Sequence, residues 1–385
     1  MAPISTEFSN GVLPTKAVKQ QPNQVNLSKD VPLISSLDLS QIEPFKLEKR
    51  LLTISANALG PVNVPVYIYR SSIPGPTIGL TSAIHGNEVN GVAVIQQIFS
   101  ELESEYSEAG GKTLKGAIIG VPFLNVPGFL DSIRSFDGQD LNRLMPGKAD
   151  GAAPQQYAYK LFHEVILKFD YVFDLHTASA GRQNSLYVRA DMTHPEISRM
   201  ARTLGSQIIV HNSSPGGSLR GCAQAKGIKA ITIEIGNPSI FQDELITRVI
   251  SGISNALTVP LGHQLLEDTS PKISETATAV CYRSYWVFSQ TAGILRVYKQ
   301  VAESMRRGEL IAEVRSIFGE VIEQIFSPMD RDTVVVGIEA NPVAKSGNRI
   351  VHLGVIGDDF KPGNKMKPDW NLDLTRFATK TNSDV

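Results

Sequence analysis

Two short stretches of the chain carry side chains that together could bind a metal ion. Ser82-Ala83-Ile84-His85-Gly86-Asn87-Glu88 closes a β-branched run and precedes a run of helical period, so His85 and Glu88 stand three residues apart at a strand-to-helix junction. A tight turn at Gly86 would aim imidazole and carboxylate at one point. Zinc takes His nitrogen at about 2.0–2.1 Å and carboxylate oxygen at about 2.0–2.2 Å, and a catalytic site uses three protein ligands plus water. The third ligand is offered by Asp174-Leu175-His176, where a second apolar run ends in His. Asp174 shares a strand face with His176 by period two, which suits it to orient the imidazole from behind. Taken alone, His-x-x-Glu could be a surface helix start with a capping Glu. Two His at predicted strand ends, in a fold class whose sites gather there, favour the metal. Cys222 and Cys281 are the only cysteines, so any metal must be held by His and carboxylate.

Glu234 lies inside Ile231-Thr232-Ile233-Glu234-Ile235-Gly236, a run otherwise largely apolar. Burial disfavours a carboxylate's charged form and would raise its pKa towards the range of a general base. Backbone or Arg partners at a strand end would equally satisfy it. Next to a metal site, a carboxylate that takes a proton from water and returns it to a leaving amine meets the need of amide hydrolysis. Asp140-Leu141-Asn142-Arg143 sits in a Gly- and Asp-containing loop, and Arg134 precedes Asn142 by eight residues. A guanidinium fork binds a carboxylate bidentately, and a cation near the metal can stabilise an oxyanion. An ordinary loop salt bridge is the alternative for either Arg. Arg220 in Gly217-Ser218-Leu219-Arg220-Gly221 and Arg182 also flank predicted strands and are subordinate candidates. The other five His residues (163, 194, 211, 263 and 352) read as structural. SSPGGSLRG lacks P-loop spacing and reads as a flexible rim, while the absence of GxSxG removes the simplest serine hydrolase.

These residues need a scaffold. VPVYIYR (64–70), PTIGLTSAI (76–84), KGAIIGVP (115–122), YVFDLH (171–176), QIIV (207–210) and AITIEIG (230–236) read as strands. Val92, Ile95, Phe99 and Leu102 recur at helical spacing after the second run, and Tyr157, Leu161, Val165 and Ile166 before YVFDLH. The alternation predicts an α/β fold, a mixed sheet largely parallel in its centre with helices on both faces. Later segments such as VCYRSYWVF, GILRVY and RIVHLGV are short and strand-like, predicting a small C-terminal all-β, barrel-like domain. The expected layout is a mobile arm at 1–30, a hydrolase domain at 31–260, a linker at 261–275, a β cap at 276–358 and a mobile tail at 359–385. With 385 residues the chain can bury a sizeable core, and 37 basic against 38 acidic side chains leave a net charge of −1. No basic block marks a nucleic-acid or anionic-membrane partner, and no apolar run of about 18 residues marks a membrane span. The expectation is a soluble cytoplasmic protein, possible as a homo-oligomer, that acts on a small molecule.

In this order, HGNE (85–88), DLNR (140–143), DLHT (174–177) and IEIG (233–236) resemble the succinylglutamate desuccinylase/aspartoacylase family, relatives of the zinc carboxypeptidases. The resemblance spans about residues 45–355. It implies a zinc-dependent amide hydrolase that frees an amino acid from an N-acyl amino acid, with one zinc per chain. By motif, His85, Glu88 and His176 would ligate zinc, Glu234 would be the general acid/base, and Asn142 with Arg143 would bind the substrate carboxylate. Arg134 would polarise the scissile carbonyl. The C-terminal module looks like the family's appended β-barrel, itself similar to biotinyl and lipoyl carriers. A carrier role is disfavoured because no Lys falls between Lys299 and Lys345; the module is expected to cover the site or to build an oligomer interface. PFLNVPGF and GIKAITIEIG are similar to a subgroup that deacetylates diaminobutyrate derivatives, and the acyl group stays open. The competing readings are a zinc carboxypeptidase acting on small peptides and a binding protein that keeps the fold without catalysis.

Overall fold

The computed structural model describes residues 31–57, 60–106, 115–179, 181–214, 216–258, 278–328 and 331–357. The expected arm at 1–30, linker at 261–275 and tail at 359–385 lie outside the described residues. The first ten strands are β1 (Leu33–Ile34), β2 (Leu47–Asn57), β3 (Gly60–Arg70), β4 (Thr77–Ser82), β5 (Ala117–Val121), β6 (Tyr171–His176), β7 (Arg182–Asn184), β8 (Leu186–Ala190), β9 (Ile208–His211) and β10 (Lys229–Ile235). Among them lie α1 (Asn90–Tyr106), α2 (Val126–Leu130), α3 (Ala153–Glu164), α4 (Pro195–Thr203) and α5 (Leu219–Ala225), with α6 (Asp243–Thr258) following β10. The C-terminal strands are β11 (Ala279–Phe288), β12 (Gly293–Val297), β13 (Ser304–Met305), β14 (Leu310–Arg315), β15 (Val321–Phe326), β16 (Thr333–Glu339), β17 (Val343–Ala344) and β18 (Arg349–Ile356).

The main sheet runs β1-β2-β3-β5-β4-β6-β10-β8-β9-β11-β18-β16-β13, with β7 also pairing β16. Its centre, β5-β4-β6-β10, is parallel. β5 and β6 are buried at every position, so β5 reads as an unbroken apolar run and β6 as one broken only by the site residues Asp174 and His176. Helices cover both faces, as the alternating pattern predicted. Val94 and Phe99 of α1 and Val249 of α6 pack with Leu175 and Ile233 on one side. Leu161 and Phe162 of α3 and Leu219 of α5 pack with Val172 and Ala230 on the other. Full burial of one such side chain contributes about 1.5–3 kcal/mol, so each helix is held chiefly by this contact rather than by its own propensity.

From β4 the chain crosses to β5 on one side, and β6 then lies on the other. The carboxyl ends of β4 and β6 therefore diverge at a topological switch point, where open α/β sheets hold their ligands. β8 runs antiparallel to β10, and β9 pairs in parallel with β11. The C-terminal strands thus continue the main sheet through β11, β18, β16 and β13, and fold the remainder into a four-stranded sheet, β15-β14-β12-β17. They pair with one another antiparallel throughout, in keeping with the predicted small β unit. Among the described residues no helix is long and apolar enough to cross a membrane.

Candidate active site

β4 ends at Ser82, and the chain turns sharply through Ala83, whose φ is 46°, before Glu88 N donates to His85 O at 3.0 Å. Only glycine fits at 86, because a Cβ there would lie 1.9 Å from the Gly128 carbonyl carbon at α2. Asn90 then ties the start of α1 to the end of β10, donating to Ile235 O at 2.8 Å and accepting from Gln242 N at 3.0 Å. The turn is thereby fixed against both neighbours. His176, the last residue of β6, stands opposite Glu234 in the parallel register with β10.

His85, Glu88 and His176 are all buried, and their ligating atoms lie within 4.8 Å of one another. Glu88 Oε1 is 2.8 Å from His85 Nδ1, and Glu88 Oε2 is 2.9 Å from His176 Nδ1. Behind each imidazole stands an aspartate: Asp140 Oδ1 lies 3.1 Å from His85 Nε2, and Asp174 Oδ2 lies 3.0 Å from His176 Nε2. Asp174 is itself held by the Thr81 hydroxyl at 2.8 Å. An Nε2–H that donates to its aspartate leaves the Nδ1 lone pair free, and both Nδ1 atoms face the Glu88 carboxylate. Asp174 thus occupies the supporting position expected for it. The matching position of Asp140 went unassigned, although its place in the DLNR motif marked the segment.

Burial would raise the Glu88 carboxyl, but His85 and His176 against it prevail and hold it well below the usual carboxylate range. Burial would likewise lower the His176 imidazole; Asp174 and Glu88 overcome it and favour positive charge at this ring. His85 Nδ1 is the telling atom: it is buried and makes no hydrogen bond, despite its 2.8 Å separation from Glu88 Oε1. Two atoms so close without hydrogen-bond geometry are aimed at a common third point. Two imidazole nitrogens and a carboxylate oxygen are also the donor set of a three-ligand metal site, so these residues fit a metal ion.

A cavity of about 380 Å³ opens over this group, and every candidate from the sequence lines it: His85, Glu88 and His176, Glu234, Arg134, and Asn142, Arg143 and Arg220. Glu234 accepts from Arg189 Nε at 3.3 Å and from Asn184 Nδ2 at 3.2 Å. Arg134 Nη1 donates to Glu88 Oε1 at 3.0 Å and to Ser179 Oγ at 3.1 Å, while its Nη2 donates to Asp140 Oδ2 at 2.9 Å. Asn142 Oδ1 accepts from Leu219 N at 2.7 Å, and the Arg143 guanidinium donates to Asn142 O at 2.7 Å. Arg220 is buried, yet its acceptors are the neutral Asn212 oxygens at 2.8 and 3.0 Å. Burial, and then the nearby Arg189, push its guanidinium down to about 10.

The SSPGGSLRG segment contributes Ser214 and Ser218 to the rim. Arg182 also reaches the cavity. Sequence reasoning missed Asn184, Tyr187 and Arg189 from β7 and β8, and Trp286 and Arg349 from the C-terminal strands. For Arg189 a signal existed: LYVRA is an apolar run broken by one positive charge, as ITIEI is broken by one negative charge.

Fold and site together define an α/β protein with a buried His–Glu–His group able to hold a metal ion at the strand ends. Residues 74–259 match the succinylglutamate desuccinylase/aspartoacylase catalytic domain. A curated relative, the N-alpha-acetyl-L-2,4-diaminobutyric acid deacetylase of Halomonas elongata, is 25% identical over 293 residues, which cover 72% of this chain and 82% of the relative. The product-bound ectoine utilization protein EutE (DoeB) of Ruegeria pomeroyi superposes with a TM-score of 0.69 at 19% identity, over 82% of this chain and 97% of that one. A succinylglutamate desuccinylase from a Silicibacter species gives a TM-score of 0.67 at 21% identity, over 81% and 95%. These two structures share the fold.

Proposed function

We propose that this protein is a zinc-dependent amide hydrolase that releases an amino acid or related amine from a small N-acyl amino acid. One observation carries the reading: Glu234 opens onto the same cavity as the convergent atoms of His85, Glu88 and His176. The match to the deacylase catalytic domain and the likeness to the curated deacetylase support the reaction class. His85, Glu88 and His176 would hold the zinc, which as a Lewis acid lowers the pKa of water and polarises a carbonyl.

The chain's own groups then divide the work. Glu234 takes a proton from the attacking water and delivers it to the departing amine nitrogen, while Arg189 and Asn184 keep its two oxygens in place. Arg134 reaches past Glu88 and donates to the oxygen that gains charge as the carbonyl becomes tetrahedral. Asn142 and Arg143 bind the α-carboxylate of the amino acid, and Arg220 lends a buried positive charge that lacks a carboxylate of its own. Trp286 and Arg349 wall the cavity from the C-terminal strands, which favours a small substrate over a peptide.

The test is mass-spectrometric detection of free amine from pooled N-acetyl, N-succinyl and N-malonyl amino acids and short peptides, with wild type and Glu234→Gln side by side. Release by the zinc-loaded wild type alone is expected, with zinc content equal in both. Failure of the loaded wild type on every member, or full activity in Glu234→Gln, would overturn the assignment.

A further inference from the structure

The two described sheets end in four strands, and three of those edges are too short to hold a partner strand: β1, β13 and β17 have two residues each. The fourth, β15, has six, Val321-Ile322-Glu323-Gln324-Ile325-Phe326, and among the described residues it pairs with β14 alone. One row of its backbone N–H and C=O groups is therefore open. Proteins usually guard a long edge with Lys or Pro. β15 has neither. Its one charge, Glu323, is turned inward and accepts from Gln290 N, Thr291 N and the Thr291 hydroxyl at 2.9, 2.9 and 2.7 Å, so it does not deter a neighbouring strand. Ile322, Gln324 and Phe326 are exposed and alternate with buried Glu323 and Ile325, and the bulge at Ile322 leaves this alternation intact. At the turn from β14, Ile317 and Phe318 are 80% and 84% exposed, the two most exposed large apolar side chains among the described residues. The turn itself is fixed: Phe318 N donates to Ser316 Oγ at 3.1 Å, and Ser316 N to Glu320 O at 2.8 Å.

An uncharged strip of this kind suits its own copy. Across a twofold axis each residue near the axis meets its like, so a charge there would repel itself, whereas a different partner gains from opposite charge. We infer that β15 pairs antiparallel with β15 of a second copy about a twofold axis at Gln324, joining two four-stranded sheets edge to edge. Directly opposed residues of an antiparallel pair point to the same face of the sheet. In this register Gln324 faces Gln324 of the partner subunit, amide to amide, and Ile322 faces Phe326 of the partner subunit on either side of it. Centring on Glu323 would set two buried carboxylates against each other, and centring on Ile325 would set Gln324 against an aromatic ring. The apolar tip at Ile317 and Phe318 then reaches past the far end of the neighbouring strand. Arg315 to Phe326 is twelve residues a side, against about 20–30 in an interface of standard size. The dimer is therefore weak, dissociating at about the micromolar level or above.

The interface does not rest on the reaction proposed above and is tested without it. Sedimentation velocity of the full chain from about 1 to 200 μM, a span around the expected dissociation constant, should show a reversible monomer–dimer equilibrium. I322K and F326E should each weaken it tenfold or more, with circular dichroism and melting temperature as in wild type. Within one chain these two positions lie about 13 Å apart along the strand, too far to pair, whereas across the twofold each faces the other. The double variant I322K/F326E should therefore dimerise more tightly than either single variant, and more so at low salt. Where a single variant melts early, cross-linking decides. Treated with oxidised glutathione, Gln324→Cys should give a covalent dimer, while wild type and Ile322→Cys, whose new thiol opposes a phenylalanine, should not. A chain that stays monomeric throughout leaves the edge to another occupant and overturns the pairing. So does a dimer indifferent to both single changes, a double variant no tighter than the singles, or a Gln324→Cys protein that cross-links no better than Ile322→Cys.

Discussion

Each imidazole of the His–Glu–His group is held by an aspartate at Nε2 and turned towards Glu88 at Nδ1, so ring orientation depends on residues outside the group itself. Replacing Asp174 by Asn keeps the shape but removes the charge that fixes the His176 tautomer. Zinc affinity should fall by roughly 10–100-fold, as read by competition with a chelator; an unchanged affinity would contradict the supporting role. Arg189 plays a comparable part for Glu234. Arg189→Met should lower kcat tenfold or more with zinc content intact, and should cost about 2 kcal/mol in chemical denaturation because a charged hydrogen bond is lost. His352 yields a pH prediction. It faces Arg182, Arg189 and Arg349, with Trp286 and the neutral phenol of Tyr187 as its ring neighbours. Its folded pKa lies below the unfolded value of 6.5, so the unfolded chain takes up the proton first. This contribution is complete above that value and is lost as the pH falls below it, at no more than about 1.4 kcal/mol per pH unit. Between pH 7.5 and 5.5 the melting temperature of wild type should drop more steeply than that of His352→Gln, and parallel curves would refute the assignment.

The turn between β4 and α1 has a single permitted residue at its tightest point. Gly86→Ala would drive a methyl into the Gly128 backbone, so the turn or α2 must move, at about 3 kcal/mol, and His85 moves with it. Denaturation midpoints and zinc content should fall together, whereas Gly216→Ala, where a Cβ meets nothing within 4 Å, should leave both near wild type. The central strands were legible because they are buried on both faces and so read as mostly apolar runs, YVFDLH and AITIEIG becoming β6 and β10, while VPVYIYR became the second half of β3, whose burial alternates. β2 was missed because its opening, Glu48-Lys49-Arg50, puts charge on both faces and hides the period-two pattern. β7 was missed because three polar residues, Arg182–Asn184, become a strand only through pairing with β16. The same division holds within the site. His85, Glu88, His176 and Glu234 announce themselves by chemistry set at the ends or in the middle of apolar runs. Asn184, Trp286 and Arg349 acquire meaning from partners far away in the chain, and no local pattern marks them.

At the scale of the whole molecule, the pairing of β9 with β11 and of β7 with β16 makes the C-terminal strands part of the structure that carries the site. Differential scanning calorimetry should therefore record one cooperative unfolding transition, and two resolved transitions would show that the halves fold separately. A fragment ending at residue 258 would leave β9 as an open edge and the cavity without Trp286 and Arg349, so it should fail to give a stable fold by circular dichroism. The short bridge β7 carries a further consequence. Since Asn184 touches Glu234 while its strand is stitched to β16, exchanging the C-terminal strands for those of a relative would disturb the Glu234 carboxylate. A chimaera that takes its C-terminal strands from a relative should therefore lose activity even where the cavity residues match, whereas single substitutions at the cavity wall leave the bridge intact.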